Sequence, residues 1–101
     1  MSSNTVSLPP SRALFLHLAG EIQRRPDGHI FKGDFVKDGV LFRCRGDSGL
    51  IDGGDDFAIQ KDGHIEFWKN GKLSRDPAIG PAVVSLYGDY AEYWLDGTRI
   101  A

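Results

Sequence analysis

Glutamate and tryptophan two residues apart occur twice in this chain, as Glu66-Phe67-Trp68-Lys69-Asn70-Gly71 and as Glu92-Tyr93-Trp94-Leu95-Asp96-Gly97, with 26 residues separating Glu66 from Glu92. In an extended backbone, residues i and i+2 share a face. Each copy therefore sets a carboxylate beside an indole, with His64 joining Glu66 and Trp68, and Tyr90 joining Glu92 and Trp94. Ile65 and Phe67, and Ala91, Tyr93 and Leu95, fall on the opposite side. A face that mixes indole, phenol, imidazole and carboxylate has the composition of a recognition surface, in which aromatics supply binding energy and acids supply orientation. The expected partner-binding set is His64, Glu66, Trp68, Tyr90, Glu92 and Trp94, and the apolar side is expected to face the core.

Other constellations carry less chemistry. Gly46-Asp47-Ser48-Gly49 spells the nucleophile sequence of trypsin-like serine proteases, and would make Ser48 with Asp47 a small hydrolase site. That chemistry needs two β-barrels to orient the Ser, His and Asp and to build an oxyanion hole, more than 101 residues supply. Asp47, Asp52, Asp55 and Asp56 are hard oxygen ligands on a Gly-rich loop, but their spacing fits no D-x-D-x-D-G frame for calcium. Cys44 lies between Arg43 and Arg45, yet in a strand it points away from both, beside Val40 and Phe42, as a buried thiol does. His17, His29 and His64 have no short metal-ligand spacing, and no glycine-rich phosphate loop precedes a helix, so no metal or cofactor is expected.

The elements that would position these residues follow from periodicity. Residues 1–10 read as a flexible tail. From Arg12 to Arg25, Leu14, Phe15, Leu18 and Ile22 recur at helical spacing, with Ser11 as N-cap and Pro26-Asp27-Gly28 as the stop, which predicts a helix over 11–25; Leu14 to Leu18 also fits a strand. From His29 the period becomes two. Asp38-Gly39, Asp62-Gly63, Asn70-Gly71 and Asp96-Gly97 are hairpin turns, since both turn residues must take positive φ. The expected fold class is α+β: one N-terminal helix packed on an antiparallel β meander of short strands (29–101), with the internal repeat at 64–71 and 90–97. All of 1–101 forms a single domain.

Composition narrows the function classes. Hydrophobic residues make up 41% and charged residues 26%, ordinary for a globular protein, and no apolar run reaches membrane-span length. The lone cysteine fits a reducing compartment, and the expected localisation is cytoplasmic. Residues 1–46 hold seven Lys or Arg against four acids, and 47–101 five against ten, for a net charge of −2. That sign disfavours non-specific nucleic-acid binding. Arg24, Arg25, Lys32, Lys37, Arg43 and Arg45, with Phe31 and Phe42, would carry the alternative of a nucleic-acid-binding accessory protein.

The run Trp68-Lys69-Asn70-Gly71-Lys72-Leu73, followed by Arg75-Asp76 and Gly80-Pro81-Ala82-Val83, resembles the tandem repeats of small bacterial and phage proteins that read W-x-N-G-K-x-x-R-x-x-G-P-A. It is similar more loosely to MORN-like antitoxin repeats. The second copy departs from the pattern, because Thr98-Arg99 replaces Lys-Leu and no Gly-Pro-Ala follows. The resemblance implies a protein-binding or regulatory module and transfers no catalytic residue. The expected function is a small non-enzymatic protein that binds another protein: a phage or mobile-element inhibitor of a host defence complex (anti-CRISPR-like), or an antitoxin-like partner. A last strand, Thr98 to Ala101, offers an edge through which a second copy could pair.

Overall fold

The computed structural model describes residues 8–101, so most of the expected tail, 1–7, lies outside the described residues. Ten short strands follow one another: β1 (Gly33–Lys37), β2 (Val40–Cys44), β3 (Ile59–Lys61), β4 (His64–Glu66), β5 (Trp68–Lys69), β6 (Lys72–Leu73), β7 (Val83–Ser85), β8 (Ala91–Glu92), β9 (Trp94–Leu95) and β10 (Thr98–Arg99). Six of them form one antiparallel sheet in the order β1-β2-β3-β4-β7-β8, and β5-β6 and β9-β10 are separate two-stranded hairpins.

The turn chemistry dictates most of this. Asp38-Gly39, Asp62-Gly63, Asn70-Gly71 and Asp96-Gly97 all carry positive φ at both positions, the geometry whose twist matches a hairpin. They join β1 to β2, β3 to β4, β5 to β6 and β9 to β10. The first copy of the repeat, 64–71, does not run as one strand into its turn but breaks at Phe67, which donates its N–H to Ala82 just before β7 (2.7 Å) and accepts from Ser74 just after β6 (3.0 Å). The second copy breaks at Tyr93, whose N–H goes to Ala101 (2.9 Å) and whose carbonyl takes Ile100 (2.8 Å). In both copies the Trp opens the hairpin, with Trp68 opposite Leu73 and Trp94 opposite Arg99.

Register sorts the side chains into two rows that run the width of the sheet. Phe35, Phe42, Ile59, Glu66, Val83 and Glu92 are successive partners on one face. Val36, Leu41, Gln60, Ile65, Val84 and Ala91 are the matching row on the other. The first face holds the core, where Val40, Phe42, Cys44, Ile51, Ile59, Trp68, Leu73, Val83 and Trp94 are buried and Ala13, Phe15 and Leu18 pack down from the N-terminal segment.

The expected α+β class is corrected: no helix covers 11–25, and among the described residues the fold is all-β apart from one 3-10 turn at Leu16–Leu18. The segment is an extended strap in which Ser11, Ala13 and Phe15 turn inward while Arg12, Leu14 and Leu16 are exposed, a period of two. Leu18, Ala19 and Glu21 make single local turns, and other amides are spent on distant parts of the chain: Gly20 donates to Gly71 (3.0 Å) and Gln23 to Gly49 (2.8 Å). The anticipated helix stop, Pro26-Asp27-Gly28, turns a small hairpin instead, closed by a bridge between Arg24 and Ile30. Tertiary hydrogen bonding overrode a weak helical stripe that Gly20, at φ 75°, already interrupts.

Gly71 shows how closely strap and hairpin fit. A Cβ there would meet Leu50 at 3.1 Å and the Gly20 nitrogen at 3.2 Å, whereas one at Gly39, with nearly the same φ, meets nothing within 4 Å. Both Gly→Ala changes incur the left-handed penalty of about 1–2 kcal/mol. Gly71→Ala is expected to lower the urea midpoint further than Gly39→Ala, and equal shifts would show that the strap contact adds nothing.

Candidate functional site

The six residues singled out by type and spacing come together as two adjacent hydrogen-bonded clusters, His64-Glu66-Trp68-Tyr90 and Glu92-Trp94, joined through the N-terminal strap. Trp68 donates its indole N–H to Oε1 of Glu66 (2.8 Å), and Trp94 does the same to Oε1 of Glu92 (3.0 Å). The other oxygen of each carboxylate takes a backbone amide of the strap: Leu14 N–H on Glu66 (2.8 Å) and Arg12 N–H on Glu92 (2.5 Å). The acceptors sit two strands apart in the sheet and the donors two residues apart in the strap, so the repeat in the chain becomes a repeated clasp.

Further groups complete each clasp. His64 Nε2 lies 2.7 Å from Glu66, and its Nδ1 lies 2.5 Å from the Tyr90 hydroxyl. Glu92 accepts the Ser11 hydroxyl at 2.7 Å and has the Arg99 guanidinium 3.9 Å away. The Arg12 guanidinium stands over the Tyr90 ring, 4.9 Å from its centroid. A hydroxyl, an imidazole and a carboxylate in series are the parts of a proton relay. Here each is committed, and the phenol is pushed up by burial, with Asp89, Glu66 and Glu92 reinforcing the shift and Arg12 opposing it.

The assembly faces inward. Glu66 is 0% exposed, Trp68 1%, Glu92 2%, His64 6% and Trp94 8%. The sequence placed these side chains on an open mixed face and the apolar set against the core; the structure buries the mixed set instead, while of the apolar set Ala91 and Leu95 are exposed, Ile65 is buried and Phe67 packs against the core. The physical reason is that the strap supplies N–H donors as well as apolar cover, so it can seal a face that contains carboxylates, which a smooth apolar helix stripe could not. Sequence reasoning missed Ser11, Arg12 and Leu14 as the residues that meet the glutamates. The inward alternation of Ala13 and Phe15 was the signal available.

The remaining sequence-stated candidates disperse. Ser48 accepts the Leu50 amide at 3.3 Å, and no histidine hydrogen-bonds it among the described residues. Asp47 pairs with Lys32 (2.6 Å), Asp52 accepts from Gly54 and Asn70, and Asp56 accepts from Phe57 and faces Arg43, so the loop acids are engaged separately. Among the described residues no three His, Cys, Asp or Glu side chains gather to hold a metal. Cys44 is fully buried, and burial, with Asp34 and Asp52 adding to it, pushes its thiol up to about 11. Of the basic residues, Arg25, Lys32, Arg43 and Arg45 already face Asp27, Asp47, Asp34 or Asp56. Among the described residues no helix is long and apolar enough to cross a membrane.

Comparison of the chain with protein-family models, with curated proteins and with solved structures returns no match.

The clasps make the fold acid-sensitive in a stated direction. Burial alone would push the Glu92 carboxyl up, but the Arg12 amide, the Ser11 hydroxyl, the Trp94 indole and Arg99 outweigh it and leave it below the ordinary glutamate value. The unfolded chain therefore takes up this proton more readily than the folded one, so the contribution of Glu92 is complete above about pH 4.3 and declines as the pH falls below it. Urea midpoints measured from pH 6 to pH 3 should fall, and Glu92→Gln should flatten that fall while lowering stability at pH 6. Trp68→Ala should cost about 3–5 kcal/mol, as truncation of a core aromatic does. Trp68→Phe should cost about 1–3 kcal/mol for the donor that Glu66 loses.

Proposed function

We propose that this chain is a small non-enzymatic protein-binding module that docks another protein on the sheet face opposite the strap. The observation that carries the reading is the row Val36, Leu41, Gln60, Ile65, Val84 and Ala91, which lies outside the core cluster. Five of its six residues are apolar, Val36 is 68% exposed, and Ala91 is exposed. Ile65 at its centre is buried and Leu41, Gln60 and Val84 are half-buried, so the strip opens at its two ends, and apolar side chains exposed on a sheet face outside the core have an interface composition.

A polar anchor stands beside the strip. Arg43, two residues along β2 from Leu41, lies over the Phe57 ring at 4.0 Å, and its Nε is buried without a hydrogen-bond acceptor. Asp34 stands 3.6 Å from that Nε and Asp56 3.3 Å from Nη1, so the group borders the strip as a guanidinium held in place by two acids, and an arginine so fixed is a frequent binding residue. The resemblance of Trp68–Val83 to W-x-N-G-K repeats supports the same class, that of a cytoplasmic regulatory partner such as a phage-borne inhibitor or an antitoxin-like protein. The buried free thiol of Cys44 agrees with that compartment.

The test is to place a photo-crosslinking residue at Val36 and, as control, at Leu16 on the strap, and to recover adducts from the native host. A defined adduct at position 36 alone is expected. With the partner so identified, a Val36→Asp/Ala91→Lys variant should bind it at least about tenfold more weakly with an unchanged thermal midpoint, because both side chains are exposed. Undiminished binding, or adducts from position 16 alone, would remove the strap-free face as the docking surface.

A further inference from the structure

We propose that the half-open cavity between the strap and the β1–β3 end of the sheet is a binding site for a small aromatic acid. It lies on the strap side of the sheet, away from the docking face, and stands independently of it. Its volume is about 320 Å³, at the lower end of the range of roughly 300–1,000 Å³ that ligand pockets occupy and far above the voids of a close-packed interior.

The walls select a flat apolar body. Phe35 and Phe42 are stacked with centroids 5.1 Å apart and planes 20° apart, and Phe15 meets Phe42 edge-on at 5.3 Å. All three line the cavity, and Leu18 of the strap contributes to it as well. Aromatic rings in this mixture of stacked and edge-on contact accept a further ring in either arrangement.

The rim selects an anion. Lys37 and Lys61 both line the cavity. Lys37 is the cross-strand partner of Val40, and the β2–β3 register carried one step past Leu41 and Gln60 sets Lys61 beside Val40 on its other side. The two lysines therefore rise from the same face with one strand between them, near enough for both flexible ammonium groups to reach one carboxylate. Neither is in an ion pair among the described residues, although Arg25, Lys32 and Lys69 each are. Asp38 contributes one carboxylate to the rim against these two lysines, and His17 and Gln23 add hydrogen-bonding groups without negative charge. A net positive mouth over an aromatic floor is the complement of a ring that bears a carboxylate.

The experiment titrates 2-naphthoate, 2-naphthamide and acetate into the full chain, read by calorimetry and by amide shifts in a two-dimensional NMR spectrum. Saturable binding of 2-naphthoate is expected, with shifts concentrated at 15–18, 35–42 and 61, binding at least about tenfold weaker for the uncharged amide, and no binding of acetate. A Lys37→Gln/Lys61→Gln variant, which alters exposed side chains only, should lose about tenfold in affinity for the naphthoate and none for the amide. The inference is overturned if millimolar 2-naphthoate gives no saturable shift, if the shifts fall elsewhere, if the amide binds equally, or if the double variant keeps its affinity for the acid.

Discussion

Two buried carboxylates set the terms for this structure. A carboxylate removed from water is costly unless donors replace its hydration. Glu66 and Glu92 sit in the middle and at the edge of the sheet's inner row, where neither can reach solvent. Each takes the indole two residues on within its own phrase and a backbone amide from the strap, and Glu92 takes the Ser11 hydroxyl as well. The requirement is mutual. The carboxylates need the strap to complete their shells, and the strap, with a single 3-10 turn of its own, needs them to place its amides.

That exchange also decides which side of the sheet is covered. An amphipathic helix would have favoured the smoother side, that of Ile65, Val84 and Ala91. A strap can offer amides and small inward side chains at alternate positions, and it settles where acceptors are waiting. The core is consequently built of aromatics, aliphatics and two anchored acids together, and the plainer apolar strip lies outside it, exposed at Val36 and Ala91. The docking face proposed here is thus a consequence of how the carboxylates are satisfied.

The strap also makes the cavity. Phe15 and Leu18 come down onto Phe35 and Phe42 at the β1–β3 end, where the chain leaves the clasps and before Gly20 binds the Asn70-Gly71 hairpin. Between those two fixed points the strap bridges rather than fills, and a hollow with aromatic walls stays open below Lys37 and Lys61. One element therefore seals the core, exposes the opposite face and roofs a pocket.

Local chemistry fixed the hairpins. Asp-Gly and Asn-Gly pairs can hold positive φ at both positions, so four turns, the strands that flank them and the twin Glu-x-Trp phrases were legible without coordinates. The six residues that those phrases nominate do meet on one buried face, as two clusters that the strap joins. What the amino-acid order could not convey was the direction in which the network points or the state of the segment from Ser11 to Arg25. Both depend on contacts between residues some 50 to 80 positions apart, such as Leu14 with Glu66 and Arg12 with Glu92. The spacing of Leu14, Phe15, Leu18 and Ile22 is compatible with a helix, but propensity is a matter of tenths of a kcal/mol per residue, and two desolvated carboxylates in need of amide donors outweigh it.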